Sequence, residues 1–358
     1  MRVSEPLRFG ICGLGFMGRT YFRYLRENPR AQVVAVCDKN PDVRSGCWQA
    51  TGNLDPSAPE RVDLHDMARY ARPEELIADP RVEVVAITLP TPLHAASTVK
   101  ALEAGKHVIC EKPMAPTLEE CDRMIAAARA CGRTLMVAQC IRFWPQYEAI
   151  KALVEEGRIG PVRFAKLARL SCPPTYSDGN WLLDGAASGG ALLDLHVHDV
   201  DFAQHMLGAP ATIHAVGCRG VSGQIDHAFA TYGYSDGRYA LLEVSWAYHA
   251  PWPFEMAITV CGGRGTLAWS SRAGTDVLLY AGGCEAQRIA CGDENGWKRE
   301  LGYFVECVQA GRPVARCLPE SSRASIGLFL LEQRSIRQGE GVEVIGGQFS
   351  PDADAISG

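Results

Sequence analysis

The chain has 358 residues, 47% of them apolar and 22% charged, with a net charge of -5 and no long polar tract. That is long enough for two ordinary hydrophobic cores and too apolar for disorder away from the ends. The basic residues are scattered and not interleaved with aromatics, which argues against a nucleic-acid partner and leaves small molecules as the expected ligands.

Residues 1–9 carry charges and a proline and contain no apolar run of signal-peptide or membrane-span length, which points to the cytoplasm. The 14 cysteines sit singly in apolar segments such as "GICG", "AVCD" and "ITVC". They read as buried reduced thiols, with no close pair of CxxC type to hold a metal.

From Leu7 to about Cys140, the β-branched runs "LRFGICG", "AQVVAVCD", "VEVVAITLP", "HVICEKP" and "RTLMVAQC" alternate with helical stretches. This pattern predicts a doubly wound parallel sheet, a Rossmann domain over residues 1–140. Between the first run and the first helix lies "GLGFMG", which places Gly13, Gly15 and Gly18 around Phe16 and Met17. Glycines in that context let the backbone and a helix N-terminus approach a pyrophosphate. Asp38 ends the second run, where a carboxylate accepts from a ribose 2′-hydroxyl and repels a 2′-phosphate. NAD is therefore expected over NADP, although Lys39 beside it pulls the other way.

"TLPTPLH" sets Leu89, Pro90, Thr91 and His94 at the carboxyl edge of this sheet, and "HVICEKP" brings Glu111 and Lys112 to the same edge. Ligands of open α/β sheets bind outside those carboxyl ends. A lysine there can hydrogen-bond the oxygen of a carbon that gives or takes a hydride, stabilising the developing alkoxide. From position alone, a solvated surface lysine is an equal reading. Gln139 follows the fifth run and falls near the cofactor edge.

After Arg142 the strand-like runs lengthen and alternate, as in "PVRFAKLARLSC", "RYALLEVSWAY" and "FEMAITVCGG". They predict a second α+β domain over residues 141–358, built on a large, open, mainly antiparallel sheet. In "QCIRFWPQY", the residues Arg142, Phe143, Trp144 and Tyr147 either line a substrate cleft or form a hydrophobic hinge. Trp181 lies in a polar, glycine-rich loop that either covers a sugar or merely connects. "GALLDLHVHDVDFAQHMLG" reads as one helix, on which Asp194, His198 and Asp201 share a face. An imidazole on such a face suits proton transfer near neutral pH as an alcohol loses its hydride. His196 falls on a different face, so packing is at least as good an account of it as substrate contact. His-x-His with carboxylates can also ligate zinc, but lysine and imidazole already account for the chemistry, and no metal is expected. "WAYHAPWPFEM" makes either a pocket wall or a hydrophobic interface. Residues 297–338 read as helices and Val342 to Ile345 as a last strand.

The ordered set "GLGFMG", "VVAVCD", "TLPTPLHA", "AGKHVICEKPMA" and "GGALLDLHVHDVD" resembles the Gfo/Idh/MocA family of NAD(P)-dependent oxidoreductases, from Arg8 to at least Ala268. The resemblance implies an NAD cofactor, substrates among sugars, cyclitols and their derivatives, and an open sheet that often forms an oligomer interface, hence a dimer or tetramer. It places Lys112 at the reacting carbon, makes His198 the general acid/base and has Asp194 orient His198 or substrate hydroxyls. With Arg142, Trp144 and Trp181 from the residue reading above, the candidate substrate-binding residues are Lys112, Arg142, Trp144, Trp181, Asp194 and His198. His196 departs from the family's commonest pattern, which has Gly there. Two other readings stay open: an NAD-retaining enzyme that cleaves glycosides by transient oxidation and elimination, and a non-catalytic NAD-binding regulator.

Overall fold

The computed structural model describes residues 5–49, 52, 60–283 and 285–344. The chain divides into two units. The first holds the residues up to Cys140 together with Thr175–Trp181 and Trp297–Arg323, and the second holds Ile141–Pro174, Leu182–Gly296 and the chain from Ala324 onward.

In the first unit, short apolar runs become strands β1 (Leu7–Cys12), β2 (Ala31–Cys37), β3 (Ala68–Tyr70), β4 (Val84–Ile87), β5 (His107–Glu111) and β6 (Leu135–Ala138). All pair in parallel, in the order β3-β2-β1-β4-β5-β6. This is the doubly wound order whose carboxyl ends open onto a ligand crevice. β4 and β6 are buried at every residue, as strands of a doubly covered parallel sheet must be. Helices α1 (Phe16–Glu27), α2 (Pro73–Ala78), α3 (His94–Glu103) and α4 (Leu118–Cys131) alternate with them. α4 starts at Thr117, whose hydroxyl accepts from Glu120 N at 3.3 Å, and stops at Gly132 in the left-handed region at φ 60°.

The second unit opens with α5 (Pro145–Glu155) and is built on nine strands. They are β7 (Val162–Leu170), β8 (Thr212–Arg219), β9 (Ile225–Gly233), β10 (Tyr239–Ser245), β11 (Glu255–Gly262), β12 (Thr266–Ser270), β13 (Val277–Tyr280), β14 (Gln287–Ile289) and β15 (Val342–Glu343). Their order is β14-β13-β12-β11-β7-β10-β9-β8-β15, antiparallel throughout except for the central β7/β10 pair. β15 ends at Glu343, and the Ile345 end of the predicted strand lies outside the described residues. Alternation gives the sheet one apolar face carrying Leu167, Ile213, Ala230, Leu242 and Ile258, all buried. On the opposite face Val216, Phe229, Tyr239 and Leu241 are each more than 40% exposed. Helices α6 (Gly190–Asp194) and α7 (Val197–Leu207) precede β8, while α8 (Gly296–Gln309) and α9 (Pro319–Gln338) follow β14.

The expectation that the cysteines are buried thiols needs correcting. Among those described, Cys47, Cys131, Cys172, Cys261 and Cys291 are half-buried and Cys218 is exposed. Cys218 and Cys261 lie on strands of the open sheet, which leaves one face uncovered, whereas Cys12, Cys37 and Cys110 lie on strands covered on both faces. Among the described residues, no helix is long and apolar enough to cross a membrane.

Candidate active site

β1 passes into α1 through a loop in which each glycine has a separate reason. Gly13 takes φ +94°, and a Cβ on it would sit 2.6 Å from Thr88 O. A Cβ on Gly18 would sit 1.9 Å from Gly13 O, whereas one on Gly15 would meet nothing within 4 Å. The outer two are therefore demanded by the turn and by helix packing, and the middle one leaves room for a ligand to reach the backbone. Gly15 is the N-cap of α1 and no side chain caps that helix, so its first amides can serve an anion. The loop thus fits a dinucleotide pyrophosphate. Gly18→Ala is expected to weaken NADH binding about tenfold or more, because overpacking against a backbone carbonyl must be relieved by moving the loop. Fluorescence titration measures this, and an unchanged affinity would show that the contact relaxes at no cost.

At the end of β2, Asp38 Oδ2 accepts from Leu14 N at 2.8 Å and Oδ1 accepts from Asn40 N at 2.9 Å. Each carboxylate oxygen keeps a second lone pair for a ribose hydroxyl. Phe16 meets Tyr176 and Trp297 edge-on, with ring centroids 6.0 and 5.6 Å apart, while Met17 is half-buried.

Lys112 follows β5 directly and is half-buried, its amide donating to the buried Glu111 Oε2 at 3.3 Å. His94 supports this corner. It is 1% exposed, with Nδ1 2.8 Å from Pro113 O and Nε2 2.7 Å from Leu89 O. The ring is therefore a strut between the two loops at the sheet's carboxyl edge. Leu89 and Pro90 are half-buried and Thr91 is buried. Gln139 is wholly buried and donates to Ser322 Oγ at 3.3 Å.

In the second unit, the helix expected across "GALLDLHVHDVD" is broken. Leu195 N and His196 N both donate to Ala191 O, at 3.0 and 2.9 Å, so α6 closes with a wide turn and α7 begins afresh at Val197. Asp194 ends one helix and His198 lies on the next, so the shared-face argument from residue spacing does not apply to them. Asp201 points into a buried pair. Arg142 Nε and Nη2 donate to its two oxygens at 2.7 and 2.6 Å, and Ser325 Oγ donates to Oδ1 at 3.1 Å. Asp199 likewise receives Arg169 through Nε at 2.9 Å and Nη2 at 3.1 Å, while Arg169 Nη2 also donates to Tyr147 Oη at 3.3 Å. His196 is buried with Nε2 3.2 Å from Glu332 Oε1, which also accepts from Tyr232 Oη at 2.8 Å. Burial opposes protonation of this imidazole, but the charge and hydrogen bond of Glu332, aided by Asp199, outweigh it and raise the pKa.

Of the polar residues from Asp194 to Asp201, His196, Asp199 and Asp201 are thus engaged by core partners. Asp194 is half-buried and His198 keeps 8% exposure. Arg142 is 4% exposed, Phe143 1% and Tyr147 0%, so all three side chains sit in an interior. Tyr147 packs edge-on against Phe202 and Trp269 at 4.8 and 5.5 Å. Trp144, the N-cap of α5, and Trp181 are half-buried. Arg169 was missed in the sequence, although a signal existed: on β7 it shares the alternation phase of the buried Ala165 and Leu167. A core-facing arginine requires a carboxylate.

A model for an oxidoreductase family with an NAD-binding Rossmann fold matches residues 7–139, and one for the GFO/IDH/MocA C-terminal domain matches residues 147–268. Human trans-1,2-dihydrobenzene-1,2-diol dehydrogenase is 33% identical over 225 residues, covering 62% of each chain, so this chain spans less than two thirds of that relative. The 2,7-anhydro-N-acetylneuraminate hydratase of Escherichia coli is 26% identical over 269 residues, 73% of this chain and 67% of that one. A levoglucosan dehydrogenase solved with NADH and levoglucosan has a TM-score of 0.81 over 95% of this chain and 100% of its own, a likeness of fold at 21% identity.

Proposed function

The chain belongs to the Gfo/Idh/MocA family of NAD-binding oxidoreductases, and from that premise we propose that it moves a hydride between nicotinamide and a secondary alcohol or ketone of a sugar, glycoside or cyclitol. The observation that carries this reading is Lys112 at the carboxyl end of β5, in the same sheet as the glycine loop at the end of β1. Bound NAD supplies the hydride acceptor or donor. The Gly13–Gly18 loop holds its pyrophosphate and Asp38 its ribose. The Lys112 ammonium donates to the substrate oxygen, stabilising the negative charge it gains as the hydroxyl proton leaves or, in reduction, as hydride arrives. His198 takes the hydroxyl proton, or returns it in reduction, and Asp194 orients His198 or a neighbouring hydroxyl. Arg142 and Arg169 act one step away, holding α7 through Asp201 and Asp199. The relative at 33% identity acts, by name, on a vicinal diol, which supports an alcohol carbon as the reacting centre.

The hydratase among the relatives favours a second reading, in which NAD stays bound, a ring hydroxyl is transiently oxidised, a leaving group is eliminated and the hydride returns. One experiment separates the two. Protein with added NAD or NADP is followed at the reduced-nicotinamide band across hexoses, inositols, uronic acids, glycosides and vicinal diols. Net reduction supports the dehydrogenase; release of a leaving group without net reduction supports the second reading; neither, with NAD bound, overturns both.

The apolar row Val216, Phe229, Tyr239 and Leu241 on the outer face of the large sheet supports self-association. Light scattering is expected to give the mass of two or four chains, and a monomer at micromolar concentration would contradict it.

A further inference from the structure

Thr175–Trp181 lies between β7 and α6, inside the stretch of sequence that builds the second unit, yet it clusters with the first unit. Two contacts seat it beside the nucleotide loop. Tyr176 meets Phe16 edge-on at 6.0 Å, and Asp178 Oδ2 lies 3.4 Å from Lys39 Nζ. The chain then turns through Gly179 and Asn180, both at positive φ, 62° and 54°. Lys39 directly follows Asp38, the residue expected at the adenosine ribose, and is the cation that would make a 2′-phosphate welcome.

The other cations nearby are committed differently. Arg44 Nη1 donates to Asp38 O at 2.7 Å and Lys39 O at 2.9 Å. Arg19 Nε donates to Leu14 O at 2.8 Å and its Nη1 to Gln49 O. Both arginines serve backbone carbonyls of the surrounding loops, and Asp38, Glu60 and Asp178 all add negative charge around Arg19. Lys39 differs from them: its partner is a carboxylate carried in from outside the Rossmann sequence.

We propose that Asp178 is a cofactor-selecting residue: by engaging Lys39 it withdraws the cation beside Asp38 from a 2′-phosphate and adds a second negative charge where that phosphate would come. The pair is solvent-exposed, with side chains 82% and 59% accessible, so its contribution to folding is small. Against a doubly charged phosphate a few ångströms away, one carboxylate in water still changes affinity several-fold. The inference rests on the NAD-dependent reading above and refines it.

NADH and NADPH are titrated by fluorescence into the full chain and into D178N and D178N/K39A. D178N is expected to bind NADPH about 3–10-fold more tightly while NADH affinity changes less than about twofold, and the gain shrinks at high salt. Adding K39A is expected to return NADPH to its original affinity or weaker. An unchanged NADPH/NADH ratio overturns the proposal. So does parallel weakening of both cofactors, which a packing role for the segment would produce. Unsubstituted protein that binds neither dinucleotide overturns the NAD-dependent reading itself, and that result comes from the first titration, before any variant.

Discussion

Lys112→Ala is expected to lower turnover by about 10²–10³-fold or more while leaving NADH affinity within about threefold. The separation follows from where the groups sit. Pyrophosphate and ribose depend on the Gly13–Gly18 loop and Asp38, at the ends of β1 and β2, whereas Lys112 follows β5. The lysine's hydrogen bond strengthens only as charge accumulates on the substrate oxygen, so its loss falls on kcat more than on binding. Lys112→Arg keeps the charge but spreads it over a planar fork, and should recover only part of the rate. Steady-state kinetics with fluorescence titration give both numbers. Retained turnover in the alanine variant would remove Lys112 from the mechanism. Both chemistries proposed above begin by removing the same hydride, so the result bears equally on the two.

Asp201→Ala is expected to destabilise the protein by about 3–5 kcal/mol, because it strands the Arg142 guanidinium in the interior. Arg142 is 4% exposed and its partner 0%, so no water replaces the lost carboxylate. For a unit of this size, that corresponds to a fall in the unfolding temperature on the order of 10 °C by calorimetry. Replacing both partners, as in Arg142→Met with Asp201→Leu, removes the uncompensated charge and should restore much of the stability. A loss in D201A of less than about 1 kcal/mol would mean that the pair is solvated and that α7 is held by other means. His198 stands three residues before Asp201 on α7, so a shifted pH profile in the double variant would show that the pair also sets the imidazole's position.

Much of the first unit was legible because its rules are local. Period and β-branching marked the parallel strands, glycine at Gly132 ended α4, and a strand followed by three spaced glycines and a helix marked the phosphate loop. Lys112 and Asp38 stand out as candidates through their positions at strand ends. The second unit was legible as an open sheet from alternation alone, and much less so as a set of contacts. Helical spacing put Asp194, His198 and Asp201 on one face, but the shared acceptor at Ala191 O broke that helix. Arg142 and Tyr147 had a cleft and a hinge as competing readings, and spacing gave no sign that they would be buried beside Asp201, Phe202 and Trp269.

What the sequence by itself determined was which residue types stand at strand ends and turns, because backbone sterics and side-chain periodicity act over a few neighbours. What only the tertiary structure decided was which ionisable groups are used up inside. Arg142 finds Asp201 59 residues away, His196 finds Glu332 136 away, and Lys39 meets Asp178 from another part of the chain. The cost of burying a charge is settled by the partner that arrives, and that partner is chosen by the packing of distant elements.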